Sequence, residues 1–384
     1  MKLIDKYLLR EYLVPFFCCL FGFCLIYIIS GLFDKASDFM RAGVTLGQIV
    51  YFYGLFLLAY ADQSNVSFMV TILPISLLAS ALYSLSRLTR QNELTAMCSS
   101  GISIVRLMVP FIGVGVACSV IALFVQEVVA PRASRLTDEF LAENGKPMVS
   151  PVATAGRFFD GEAGVLWRVS TVDLANPTIL HGVDVQVQVS ERIKKEYPDS
   201  LYSTVITNVW QAEWHNGGWL FHGGMEQVFL PGGVPDGPPR GPLRGPVTTV
   251  GVTATPEDIA FGIDSAKAQK YVSASAILRW LHSKKVWSNE NFMQSVDAHR
   301  RLAMPWACAI AVMLAIPAGV RGGRDGVIAG MLLALALFIA FYFSLEFFIL
   351  LGKKQVVASS WLGAWLANMV FFLVGTVMIR RVRN

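Results

Sequence analysis

The chain has 384 residues, 54% apolar and 15% charged, a balance that excludes an ordinary soluble domain. Its net charge of +5 needs no nucleic-acid partner to explain it, because the excess basic residues lie beside apolar runs. The six cysteines (Cys18, Cys19, Cys24, Cys98, Cys118 and Cys308) all fall in those runs or in one polar segment between two of them, so neither a disulfide framework nor a metal-ligand spacing appears.

Crossing a bilayer as a helix takes roughly 20 apolar residues. Six stretches qualify: 12–33, 64–86, 107–126, 302–320, 327–350 and 356–379. The first is too long for a signal peptide and lacks a small-residue cleavage site, so it reads as a span with a short amphipathic lead, Met1 to Glu11. Residues 34–48 carry Asp34, Lys35, Asp38 and Arg41. Residues 49–61 are apolar and aromatic but too short to cross alone, so they read as an interfacial helix or the start of a broken second span. Pro74 lies inside the second span, where it can kink the helix.

Between the second and third spans stands Ser86 to Gly101, SRLTRQNELTAMCSSG, polar and free of proline. Its spacing fits a plain loop or a surface helix of about sixteen residues. In the helix, Leu88, Leu94, Ala96 and Met97 face lipid or protein, Arg87, Arg90 and Glu93 face water, and Arg90 reaches Glu93 at i,i+3. Lysine and arginine in the short loops number 11 on the side of both termini and this segment, against 4 on the other. The positive-inside rule then places the termini and residues 86–101 in the cytoplasm and the long middle segment outside.

That segment reads as β structure. Val183 to Val189 alternates strictly. Leu201 to Trp214 and Trp219 to Leu230 flank His215-Asn216-Gly217-Gly218, a hairpin with a glycine turn. Pro231 to Pro246 reads as a loop. Short strands without a helical period argue for a sandwich or jelly roll, whose open edge can accept a partner strand. From about Ser273 the period turns helical, with Ile277, Leu278, Trp280 and Leu281 on one face, and 289–301 leads into the fourth span. The fold class is a helical membrane protein with an inserted all-β domain, six spans arranged 3+3 around a jelly-roll-like unit. The divisions are 1–127 (spans one to three, surface helix at about 87–101), 128–270 (β domain), 271–299 (helical connector) and 300–384 (spans four to six).

No nucleophile elbow, HExxH or phosphate-binding GxxxxGK[ST] is present, so no catalytic, cofactor or metal residues are assigned. Any energy for transport then comes from another chain. Lys35, Arg132 and Arg135, with Arg300 and Arg301, lie near the outer ends of spans, as phosphate-attracting cations or as interfacial anchors. Asp62, Glu127 and Glu346 lie at or in spans; Glu346, the deepest, faces a cavity or is hydrated near the surface.

The run SRLTRQNELTAM with Gly101-Ile102-Ser103, the bracket from His299-Arg300-Arg301 to Arg321-Gly322-Gly323-Arg324, and Ala364-Trp365-Leu366-Ala367-Asn368 together resemble the LptF/LptG permeases. The resemblance covers both membrane blocks and their order. It implies an inner-membrane half-transporter, paired with a paralogous permease and driven by a cytoplasmic ATPase dimer. Such a protein extracts lipopolysaccharide and passes it to a periplasmic jelly-roll bridge. It further implies that 86–101 is the coupling helix, with Arg90, Glu93, Leu94 and Met97 at the ATPase and Glu93 matching the family's contacting glutamate. In the family an arginine often precedes the glycine; here Cys98, Ser99 and Ser100 stand there. Lys35, Arg132 and Arg135 become candidate substrate contacts, because family members carry basic residues near these places, and Glu346 becomes one because the first and fifth spans line the family's lateral gate. Two other classes stand beside this one. A lipoprotein-releasing ABC permease places one span, not three, before its large domain. A membrane enzyme acting on lipid-linked sugars would need Asp62, Glu127 and His299 to converge.

Overall fold

The computed structural model describes residues 3–60, 66–143, 152–160, 165–173, 176–187, 203–229, 235, 237–242, 244–246, 254–263, 269–283, 289–321, 323–357 and 359–383; at 34–38, 41–42, 142–143, 152–155, 159, 203–205, 207, 229, 244–246, 283, 289–290, 321, 323–328 and 382–383 it describes the backbone path alone. The chain divides into a helical unit, 1–137 with 273–384, and a β unit, 138–272.

In the helical unit, α1 (Leu3–Ala42) and α2 (Leu46–Leu58) are followed by α3 (Phe68–Arg90), α4 (Glu93–Ser99) and α5 (Ile104–Phe124). A π-turn, Val125–Val129, joins α5 to α6 (Ala130–Glu143). After the β unit come α8 (Ala274–Ser283), α9 (Asn289–Ala303), α10 (Ala307–Arg321), α11 (Gly323–Lys353) and α12 (Ser360–Arg383). Six described stretches are long and apolar enough to cross a membrane: Leu3–Phe33, Phe68–Arg90, Ile104–Leu141, Asn291–Val320, Ala329–Lys353 and Ser360–Arg381. Residues 49–61 do not start the second span. Their apolar part forms the separate helix α2, begun where Gln48 accepts the Thr45 backbone N–H at 2.9 Å.

The core is built around α10. Every residue from 307 to 319 is buried, as expected of a helix that is apolar all round. α10 packs on α3, α5, α11 and α12. Small residues allow this closeness: a Cβ added at Gly115 of α5 would stand 3.4 Å from the Ala309 Cα, and one added at Gly363 of α12 would stand 3.0 Å from the Gly352 Cα of α11. The α9–α10 junction explains Asn368. A 3₁₀ turn at Met304–Trp306 redirects the Ala307 N–H to the Met304 carbonyl. The Ala303 carbonyl then lacks its usual helical donor, and the buried Asn368 amide donates to it at 2.8 Å.

α1 is 40 residues, about 60 Å at 1.5 Å per residue, twice a hydrocarbon core of roughly 30 Å. Leu8, Tyr12 and Phe16 are buried, whereas Phe17, Phe21, Ile26 and Phe33 are exposed. α11 likewise exposes Leu332, Leu335, Ile339, Phe343 and Phe347.

The β unit is an antiparallel sheet of six strands in sequence order: β1 (Val152–Asp160), β2 (Val165–Asp173), β3 (Ile179–Val187), β4 (Ser203–His215), β5 (Gly218–Phe229) and β6 (Arg244–Pro246). The described strands therefore form a single meander. Alternation places Val165, Trp167, Val169, Val183, Val185, Trp219 and Phe221 inside. The β4–β5 hairpin turns on Asn216 (φ 51°) and Gly217 (φ 84°), the two positive φ values that a tight primed turn requires. Two elements differ from the sequence reading. The proline-rich stretch is not all loop: Arg240 exchanges two 2.8 Å backbone bonds with Glu226, and β6 pairs at the edge, where proline costs no ladder donor. A helix, α7 (Pro256–Ile263), packs on β1 and begins with reciprocal bonds between Thr255 and Asp258. Thr255-Pro256-Glu257-Asp258 is a helix-start signal at the sequence level.

The third helix extends past the expected boundary at 127, through the π-turn to Glu143. The apolar run read from the sequence stops at 126, but an amphipathic helix continues past it.

Candidate functional site

The segment 86–101 is not one surface helix. Arg87 and Arg90 form the last turn of α3, and the chain then breaks at Asn92, whose φ of 59° is left-handed. Asparagine tolerates that conformation and closes helices. The surface helix proper is α4, seven residues, ended by Gly101 at φ 87°. Ser103 then caps α5, its hydroxyl accepting the Arg106 N–H at 3.3 Å.

The start of α1 ties these pieces together. The Arg106 guanidinium donates to Asp5 at 2.9 Å, linking α5. The Arg87 guanidinium donates to Glu11 at 2.7 Å, linking α3. The Tyr7 hydroxyl donates to Glu93 Oε2 at 2.7 Å, linking α4. Glu93 therefore bonds Tyr7 and does not pair with Arg90, because the break at Asn92 ends the helical spacing that i,i+3 pairing needs. Leu94 is buried in the core cluster with Leu8 and Leu88, and Met97 packs against it half-buried. Arg90 is exposed. The four expected coupling residues thus comprise one apolar anchor, one half-buried apolar contact, one bonded carboxylate and one exposed cation.

The other ends of these helices carry a buried polar cluster. The Tyr60 hydroxyl donates to the Gln126 carbonyl at 2.6 Å, and Gln126 Oε1 accepts the Ser67 N–H at 3.0 Å. Burial pushes the Tyr60 hydroxyl up to about 12, so it remains a neutral donor near neutral pH. The guanidinium of Arg301, 1% exposed, lies 4.7 Å from the Tyr60 ring centroid. Both Glu127 oxygens are engaged, accepting the Ala274 and Ser275 N–H groups at 3.1 and 3.0 Å. A carboxylate there satisfies orphan donors at the start of α8 and complements its dipole.

The expected substrate contacts divide. The Lys35 side chain lies outside the described residues, as does Asp62. Arg132 and Arg135 are exposed on α6. Glu346, 53% exposed, is ion-paired with Arg300 of α9, whose side chain is 14% exposed. Arg301 is a core residue and not a surface cation. Asp5, Tyr7 and Glu11 were not singled out from the sequence as polar partners; the visible signal was acids in a basic, amphipathic lead.

No group of three or more His, Cys, Asp or Glu that could hold a metal occurs among the described residues. Glu127 is spent on a helix N-terminus, away from the role a lipid-sugar enzyme would require of it. A search of the curated proteins found no match. A model of the family described as "Lipopolysaccharide export system permease LptF/LptG" matches residues 6–381. The match takes in both membrane blocks and the sheet between them, and the chain belongs to that family.

Proposed function

We propose that this chain is one permease half of an ABC transporter that lifts lipopolysaccharide out of the inner membrane and passes it to a periplasmic β-jelly-roll bridge. The observation that carries this is the family match from residue 6 to 381. Membership makes the chain a multi-pass inner-membrane permease of lipopolysaccharide export, working with an LptF/LptG-type partner. The finer reading draws on the resemblance and the loop charges, and geometry supports one part of it. Exposed apolar faces on α1 and α11 suit a second permease across a lateral gate. Both termini and α4 lie in the cytoplasm, and the β unit lies in the periplasm, where its edge passes lipid onward. A cytoplasmic ATPase dimer grips α4 at Arg90, Glu93, Leu94 and Met97. Lys35, Arg132 and Arg135 attract the lipid phosphates, and Glu346 with Arg300 stands beside the lipid path.

Glu93→Ala tests the coupling. Losing a charge-assisted hydrogen bond of about 1.5–3 kcal/mol lowers ATPase affinity about ten- to a hundredfold, while membrane insertion is unchanged. Co-purification of the ATPase with the permease pair measures it. Undiminished ATPase on the variant overturns the coupling role.

A further inference from the structure

We propose that Tyr7 is a positioning residue that passes displacement of α4 to α1, through its hydrogen bond to Glu93. This rests on the reading of α4 as the ATPase contact and names the next step inward. Polar side chains from the first turns of α1 reach three different elements, but the Tyr7 bond alone among those three ends on α4. It is short, 2.7 Å, and its acceptor is a carboxylate, which makes it charge-assisted and directional. A carboxylate has about four acceptor sites on two oxygens. Oε2 takes the Tyr7 hydroxyl, so Glu93 retains capacity for a donor from outside the chain. One side chain can then hold the ATPase and α1 at the same time. The left-handed turn at Asn92 separates the seven-residue helix from α3, so α4 can pivot on its buried Leu94 without bending the span. From the residue after Tyr7 onward α1 is buried at Leu8, Tyr12 and Phe16, and beyond them Phe21, Ile26 and Phe33 leave an apolar face bare. A pull on the Tyr7 end of so long a helix moves that bare face.

The test uses the complete complex, this chain with its partner permease and the ATPase, in phospholipid vesicles loaded with lipopolysaccharide. Tyr7→Phe removes the hydroxyl and keeps the ring. The expected result is wild-type ATPase stoichiometry with at least a fivefold fall in lipopolysaccharide released per ATP hydrolysed. Asp5→Asn weakens the neighbouring contact to Arg106, which bypasses α4, and should leave that ratio within twofold of wild type. An unchanged ratio in Tyr7→Phe overturns the inference. So does an equal fall in Asp5→Asn, because general loosening of α1 then explains both. Loss of bound ATPase from Tyr7→Phe to the extent seen in Glu93→Ala shows that the hydroxyl serves docking and not transmission, and failure of Tyr7→Phe to assemble shows a structural role; either result overturns it. If wild type binds no ATPase or releases no lipid, the proposed function itself fails.

Discussion

The two ends of the same helices are joined by polar groups in opposite ways. At the end carrying α4, the Asp5–Arg106 and Glu11–Arg87 pairs leave their arginines 42% and 44% exposed. At the other end, Tyr60, Ser67, Gln126 and Arg301 are all buried. Exposed ion pairs contribute about 0–1 kcal/mol each and exchange partners with water easily. Breaking a buried charged contact costs about 3–5 kcal/mol, because the charge left behind has no solvent. Under the function proposed above, with an ATPase acting on α4, this asymmetry has a use. The driven end must rearrange at low cost, while the far end keeps α3, α5 and α9 in register so that motion is transmitted and not dissipated.

Arg301→Ala attacks the fixed end hardest. It removes the cation from the Tyr60 ring and leaves a cavity among buried side chains. The cavity sets the expected loss at about 2–5 kcal/mol, read as a large fall in the melting temperature of the purified permease. A loss below about 1 kcal/mol would show that the buried cluster is no stiffer than the surface one. Glu127→Gln is the milder version. The amide oxygen can still accept one of the two N–H groups, but the charge facing the α8 dipole is gone. About 1–2 kcal/mol should be lost locally. Hydrogen exchange at the first amides of α8 checks it, with faster exchange expected there than at the far end of that helix.

The sequence reading succeeded where composition acts over many residues. Six spans, an inserted antiparallel sheet and the Asn216-Gly217 hairpin were all legible, because apolar length and period 2 are repeated signals. It fell short where one residue decides. Asn92 divides the expected surface helix, and its left-handed turn is a local choice that surrounding helical residues conceal. The π-turn and amphipathic α6 carry the third helix past its apolar stretch. Pro256 was read as part of the β unit although Thr255 and Asp258 start a helix around it. The candidate site was legible as a segment but not as a network. Glu93 could be singled out, whereas its partner stands 86 positions earlier in the chain, and no spacing rule reaches that far. Arg300 and Arg301 looked alike in sequence, yet one meets Glu346 and the other enters the core, because adjacent helical positions point about 100° apart.

The smallest expected effect tests the adjustable end. Glu11→Gln removes the ion pair with Arg87, whose guanidinium sits at 2.7 Å but is 44% exposed. The Glu11 backbone carbonyl still accepts the Ser84 hydroxyl at 2.8 Å, so α1 keeps one tie to α3 that the substitution does not touch. Solvent screening limits the pair to about 0–1 kcal/mol, a change in melting temperature small beside that of Arg301→Ala. The wild-type pair should also weaken with salt over the range where the screening length falls from about 10 Å to about 3 Å, 0.1 to 1 M. The difference between wild type and Glu11→Gln should therefore shrink as salt rises, whereas the difference between wild type and Arg301→Ala should not. Equal salt dependence for both would mean that water reaches the Tyr60 cluster, and the contrast between a yielding end and a rigid one would be lost.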